Sequence, residues 1–341
     1  MSTGRSPINL IIGIYQGKKL EVMKVEVRTI ENLSVEPNSM VRVKEMGNIL
    51  EIMWSDSYSS RCTIKKLNKD YYIDLKTGET KEFAHIKNRA CDLKSISKSL
   101  GRLRDYLNTN IVDVSTCRWV TLTYRDNITD TEKLYNDFKL FNRRLRKEIG
   151  HYEYIVAMEP QGRGAWHCHV VMLFDGKAPY IQNDVVWKCW SPKGYKAKSV
   201  DGKGYNYTQI KKLDDVDNVG AYLTAYLGDM EAQEFCDSGK AMELVGQRIN
   251  VKEVEIEEDG VKKTKQYIKG ARLYMYPPQF NLYRCSKGVK KPIIFYDSEE
   301  MAQKKASSAK LTYEKTILLS DQENDFEKTI SYRYYNKVRK E

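Results

Sequence analysis

Apolar and polar side chains alternate through Val41-Arg42-Val43-Lys44, pause at Gly47-Asn48, and resume with Leu50, Ile52 and Trp54 on one face. That period of two marks strands with one buried side, joined by a tight turn. Leu20 to Val27, Val41 to Trp54 and Arg61 to Asp74 therefore read as β-rich, and Thr77-Gly78-Glu79 closes the module with a further turn. The period then lengthens. Leu93, Ile96, Leu100, Leu103 and Leu107 fall at helical spacing with Lys94, Lys98, Arg102 and Arg104 elsewhere around the helix, which predicts a basic connector. Arg118 to Tyr124 is β-branched and aromatic and reads as a strand. Asp130 can cap the next helix, whose stripe is Leu134, Phe138, Phe141 and Leu145 and whose other face carries Arg143, Arg144, Arg146 and Lys147. Strands from Tyr152 to Glu159 and from Trp166 to Phe174 follow, joined by a glycine-rich loop. Further on, Asp217-Asn218 can cap a helix from Val219 to Leu227, and Val251 to Ile268 reads as a hairpin about Asp259-Gly260.

The β-α-β-β order in the middle of the chain places it in the α+β class. Four segments are expected: a β-rich module over residues 1–75, a basic helical connector over 76–115, a chemical domain over 116–235, and an ancillary region over 236–341. With 341 residues, 41% of them hydrophobic, the chain has ample material for packed cores, which excludes a disordered tail. The net charge of +11 points to a polyanionic partner, nucleic acid before membrane. Seven cysteines with no C-x-x-C pair argue against a disulfide framework and a zinc knuckle, and fit a reduced, cytoplasmic protein. The apolar run from Ile8 to Tyr15 is too short to span a bilayer, and no signal-peptide cleavage pattern accompanies it.

Candidate chemistry centres on Trp166 to Phe174, which holds two of the four histidines as His167-Cys168-His169. On a strand these two imidazoles project from one face, half of a metal site. Glu159, at the end of the preceding strand, is a third candidate ligand; parity across the loop leaves open whether it shares their face. Two neutral imidazoles and one carboxylate suit Mg²⁺, Mn²⁺ or another divalent ion and leave positions for a substrate oxygen. Tyr222 and Tyr226 stand at i and i+4 on one helical face. A tyrosine oxygen can attack a phosphodiester and become joined to DNA while a metal polarises the phosphate. Between Lys188 and Lys212, Tyr195, Tyr205 and Tyr207 alternate with lysines among glycines, a composition suited to stacking bases and tracking phosphates of a single strand.

From Cys117 to about Met230 the sequence resembles the HUH-type rolling-circle replication initiators of bacterial plasmids and small phages, through three motifs in order. These are Trp119 to Tyr124, Glu159 through His169, and Tyr222 through Tyr226. Weaker similarity extends from about Lys65 to Arg104 and from Tyr274-Met275-Tyr276-Pro277-Pro278 to Pro292. The resemblance implies a five-stranded antiparallel sheet flanked by helices, Glu159, His167 and His169 on the metal, and tyrosine as nucleophile. It also implies nicking of one strand at an origin, a free 3′-hydroxyl, a 5′-phosphate on the enzyme, and a host helicase and replication machinery as partners. Many relatives carry lysine three residues after each tyrosine; here Ala225 and Asp229 stand there, so a helping cation must come from elsewhere, with Lys211, Lys212 and Arg163 as candidates. Two rival readings are a mobilisation relaxase and a non-catalytic basic DNA-binding protein. A cupin, which also uses H-x-H, normally has a glutamate a few residues later, and Val170 to Phe174 supplies none.

Overall fold

Strand pairing, more than chain order, decides how the protein is divided. The computed structural model describes residues 26–31, 33–57, 63–83, 93–191, 206–213, 229–237, 251–258, 261–268, 270–321 and 326–339. Two units form, one from residues 86–292 and one from residues 1–85 together with 293–341. The four segments read from the sequence cut the chain differently. Residues 293–341 are not ancillary to the middle of the chain, because Ile293–Ser298 pairs with Met40–Met46 and Phe326–Asn336 pairs with Ile49–Ser55.

In the unit of residues 86–292, the elements in chain order are α1 (Leu93–Asn110), β1 (Cys117–Tyr124), α2 (Thr131–Ile149), β2 (Glu153–Pro160), β3 (Trp166–Leu173), α3 (Asn183–Trp190), β4 (Asn206–Lys211), β5 (Met230–Glu231), α4 (Ala232–Asp237), β6 (Val251–Glu258), β7 (Val261–Ile268) and β8 (Tyr283–Cys285). Five strands make an antiparallel sheet in the order β4-β1-β3-β2-β8, so the expected sheet is present and its fifth strand comes from beyond residue 235. The expected hairpin from Val251 to Ile268 is present as β6 paired with β7, and β5 adds to it.

Helices cover both faces of the five-stranded sheet. Asp130 caps α2 by accepting from the Glu132 backbone N–H at 2.8 Å, and Leu134, Phe138, Phe141 and Leu145 are buried, as their spacing predicts. They pack with Val120, Leu122, Val156, Met158, Cys168 and Val170, the even-numbered side chains of the three central strands, and with Val186 and Trp190 of α3. On the odd-numbered face, Leu103 and Leu107 of α1 pack against Ile155, Ala157 and Val171. The expected connector is therefore a layer of the core; its leucine stripe needed an apolar partner, and the sheet is that partner.

The other unit is a six-stranded antiparallel sheet, ordered Glu26–Ile30, Lys310–Asp321, Phe326–Asn336, Ile49–Ser55, Met40–Met46, Ile293–Ser298. The helix Glu299–Ala306 covers one face, where Ala302 and Ala306 meet Val41, Val43, Leu50 and Ile52. Beneath it the buried Arg333 guanidinium meets the Glu299 carboxylate through two bonds, one of them 2.7 Å. Among the described residues, no helix is long and apolar enough to cross a membrane.

The α2 stripe gives a direct check on this packing. Phe141 is fully buried, so Phe141→Ala should lower unfolding free energy by about 3–5 kcal/mol in a urea titration. Lys139→Ala, on the exposed side of the same helix, should change it by under about 0.5 kcal/mol.

Candidate metal centre

The register between β2 and β3 answers what parity across the loop left open. Glu159 pairs directly with His167 and Ala157 with His169, so all four side chains leave the sheet on one face. On the far side of β3, Thr123 pairs with His167 and Thr121 with His169. The loop of residues 161–165 closes on a Gln161 N–H that donates to the Ala165 carbonyl at 2.8 Å, and Gly164 takes φ +88°, which a side chain would resist. Gly162 is pinned against α4. Its N–H donates to Glu234 Oε1 at 2.6 Å, and a Cβ at this position would lie 2.8 Å from the Glu234 carbonyl oxygen.

One donor atom from each of Glu159, His167 and His169 lies within 4.8 Å of the others. The imidazole centroids are 4.5 Å apart, and His169 Nε2 is 3.1 Å from Glu159 Oε1. Trp119 meets the His169 ring edge-on at 5.5 Å, which fixes its plane. His167 Nδ1 lies between Gln161 Nε2 at 3.2 Å and Thr123 Oγ1 at 3.4 Å, which orients that ring. Glu159 Oε2, His167 Nε2 and His169 Nδ1 are each buried with no hydrogen-bond partner. Three orphaned lone-pair atoms on three clustered residues cost stability unless something satisfies them. A divalent cation has the charge and the ligand preference to do so, and the donor set fits it.

Electrostatics hold the carboxylate in the ligating form. Glu159 is 6% exposed, and burial works to raise its pKa. Arg272 and His169 outweigh burial, and the carboxyl is lowered from its ordinary 4.5 to about 2. Its charge is thus favourable to folding above the ordinary value, and that contribution is lost only as pH falls towards 2. His167 is pushed down to about 4 by burial, then by His169, against the pull of Glu159, so it is neutral near pH 7 with a lone pair to give.

The sequence reading missed Arg272. Its Nε lies 3.8 Å from Glu159 Oε2 and donates to the Asp229 carbonyl at 3.1 Å, while Nη1 donates to the Pro160 carbonyl at 2.7 Å and Nη2 lies 3.5 Å from Glu234 Oε2. Burial disfavours its charge, but Glu159 and Glu234 more than compensate and its pKa rises. Nothing in the local sequence marks it, since its importance comes only from strand pairing and loop docking. The remaining candidates distribute as follows. Lys211 is exposed, on the same face as the histidines at the sheet edge, with Tyr207 and Gln209, whereas Arg163 donates to the Tyr124 and Arg125 carbonyls and is committed to the loop. Tyr222, Tyr226, Ala225, Tyr195 and Tyr205 lie outside the described residues.

With this geometry in view, residues 117–231 match a family model of the replication-associated protein ORF2 type. The match runs from β1 to β5, includes all three clustered residues, and is consistent with a rolling-circle replication initiator. Searches among curated proteins and among solved structures found no match.

The buried counter-charge can be tested directly. Arg272→Ala leaves Glu159 buried and uncompensated and should cost about 3–5 kcal/mol in urea unfolding of metal-free protein. Mn²⁺ should restore part of that loss, and adding Glu159→Ala to the Arg272 variant should relieve it, since the charge needing a partner is gone.

Proposed function

We propose that this chain is a replication initiator that nicks one strand of origin DNA by tyrosine attack beside a divalent-metal centre. The family match supports replication initiation and suggests endonuclease activity. The observation that carries the finer reading is the trio of orphaned donor atoms on Glu159, His167 and His169, displayed on a sheet face that also offers Tyr207 and Lys211.

In the proposed step, the hydroxyl of Tyr222 or Tyr226 gives up its proton and its oxygen attacks a phosphodiester phosphorus in line. The bond from phosphorus to the 3′-oxygen breaks, and that oxygen takes a proton to become the free 3′-hydroxyl. The 5′-phosphate remains on the tyrosine. Attack by a later 3′-hydroxyl on this phosphotyrosine rejoins the strand and returns the proton to the tyrosine. A divalent ion such as Mg²⁺ or Mn²⁺, held by Glu159, His167 and His169, supplies Lewis-acid polarisation of the phosphate when bound. Thr123 and Gln161 keep the His167 ring aligned, and Arg272 keeps Glu159 ionised. Exposed Tyr207 can stack a base of the bound strand, and Lys211 can meet a phosphate. The two tyrosines enter by their motif in the sequence; Tyr222 aligns with the leading tyrosine of the resembling motif. Origin DNA, a host helicase and a cytoplasmic setting follow from this reading.

Covalent capture separates it from a non-catalytic DNA-binding protein. Incubated with Mn²⁺ and a labelled pool of single strands of random sequence, the protein should give an adduct that survives denaturing electrophoresis. His169→Ala should abolish the adduct while changing DNA affinity by less than about threefold, because affinity comes mainly from phosphate contacts. Tyr222→Phe should remove the first adduct, and Tyr226→Phe should spare it and impair rejoining. Binding with no adduct under any metal would favour the non-catalytic reading.

A further inference from the structure

The sheet face turned away from the metal cluster carries a groove of its own. Its floor is Tyr154 and Met158 of β2, even-numbered positions opposite in direction to Glu159 and Ala157, and one wall is α2. The volume is about 660 Å³. Five cations line it, Lys139, Arg143, Arg146 and Lys147 from α2 and Arg284 from β8, and none of the described lining residues is acidic. A helix face that is merely solvated mixes both signs at i and i+4. Here residues 138–147 hold five basic residues and no acid.

Lys139, Arg143 and Lys147 recur every four residues, so they form one stripe with steps of about 6 Å along the helix. All three are exposed. The two remaining cations are held in place. The Arg284 guanidinium sits 3.6 Å above the Tyr135 ring, and that ring is stacked on Phe280. Arg146 donates to the Tyr152 carbonyl at 2.7 Å, while its Nε is buried with no partner. Arg284 also lines a second groove of about 350 Å³ with Arg102 of α1, Lys287 and Lys291. Positive charge therefore continues round the edge strand from one groove to the other.

We propose that the α2 groove binds the sugar–phosphate backbone of duplex DNA, in a site separate from the metal face, which on the proposed function holds the single strand to be cut. A rigid stripe of cations at regular intervals suits a backbone of fixed geometry. Single-stranded DNA is held by bases stacked on open rings, and the Tyr135 ring is not open, being covered by Arg284 and backed by Phe280. The site is sequence-independent, and it positions the duplex beside the strand that the other face processes.

The test is salt-dependent binding, by fluorescence anisotropy, of a duplex of about 20 base pairs with no origin sequence and of a dT single strand of the same length. The triple variant Lys139→Glu, Arg143→Glu, Lys147→Glu should lower the log–log salt slope on the duplex by about 2.7, or 0.9 for each of three phosphates. Its duplex affinity near 0.1 M salt should fall at least tenfold, its dT affinity should stay within about twofold, and its thermal unfolding should match the wild type. The same charge change placed on Lys304, Lys310 and Lys315 of the other unit should leave the duplex slope unmoved. An unchanged slope in the α2 variant, equal losses on duplex and dT, or an equal effect of the control variant would each overturn the proposal. These results are distinct from failure of the nicking reading, because no cleavage is measured; a protein that nicks dT-rich strands yet shows no α2 effect would lose this site and keep its chemistry.

Discussion

The site depends on one pairing, Glu159 opposite His167 across the β2–β3 hairpin. A slip of one residue would send one strand's chemistry to the apolar face, where Met158, Cys168 and Leu122 now lie in the core. Burial on both sides of the sheet holds the register, and the short loop reinforces it through Gly164 in a left-handed conformation and Gly162 against Glu234. The same pairing creates a problem, a carboxylate only 6% exposed. Arg272, arriving on a distant loop, solves it by facing both Glu159 and Glu234. Sheet, loop and counter-charge thus form one unit, and its unsatisfied donors point to a cation.

Much of this was legible because it is local. The α2 stripe and its Asp130 cap, the β-α-β-β order and the Gly47-Asn48 turn are written in adjacent residues, and all are present. The H-x-H pair was legible for the same reason. The side of the sheet taken by Glu159 was not, since a loop breaks the alternation that parity depends on. Arg272 and β8 were invisible for a different reason: their roles exist only through contacts with residues far away in sequence. The same holds for the joining of residues 293–341 to the N-terminal strands, where nothing near Ile293 or Phe326 announces a partner. The helix Asn183–Trp190 is eight residues long, too short for periodicity to declare itself among the lysines and tyrosines that follow.

The two faces of the five-stranded sheet divide the labour by residue parity. Odd positions display histidines, carboxylate, an exposed tyrosine and an edge lysine, and even positions bury the core beneath a strongly basic helix. A net charge of +11 is therefore organised, with the cations of α2 and the edge strand kept apart from the donors that would hold an ion. That separation matters because a lysine beside Glu159 would compete with the metal for its charge.

The most direct test of the metal centre is an anomalous difference map from crystals of the protein grown with Mn²⁺. The account predicts one strong peak in contact with Glu159, His167 and His169 together. A map with no peak there, or with manganese bound only at other carboxylates, would contradict it.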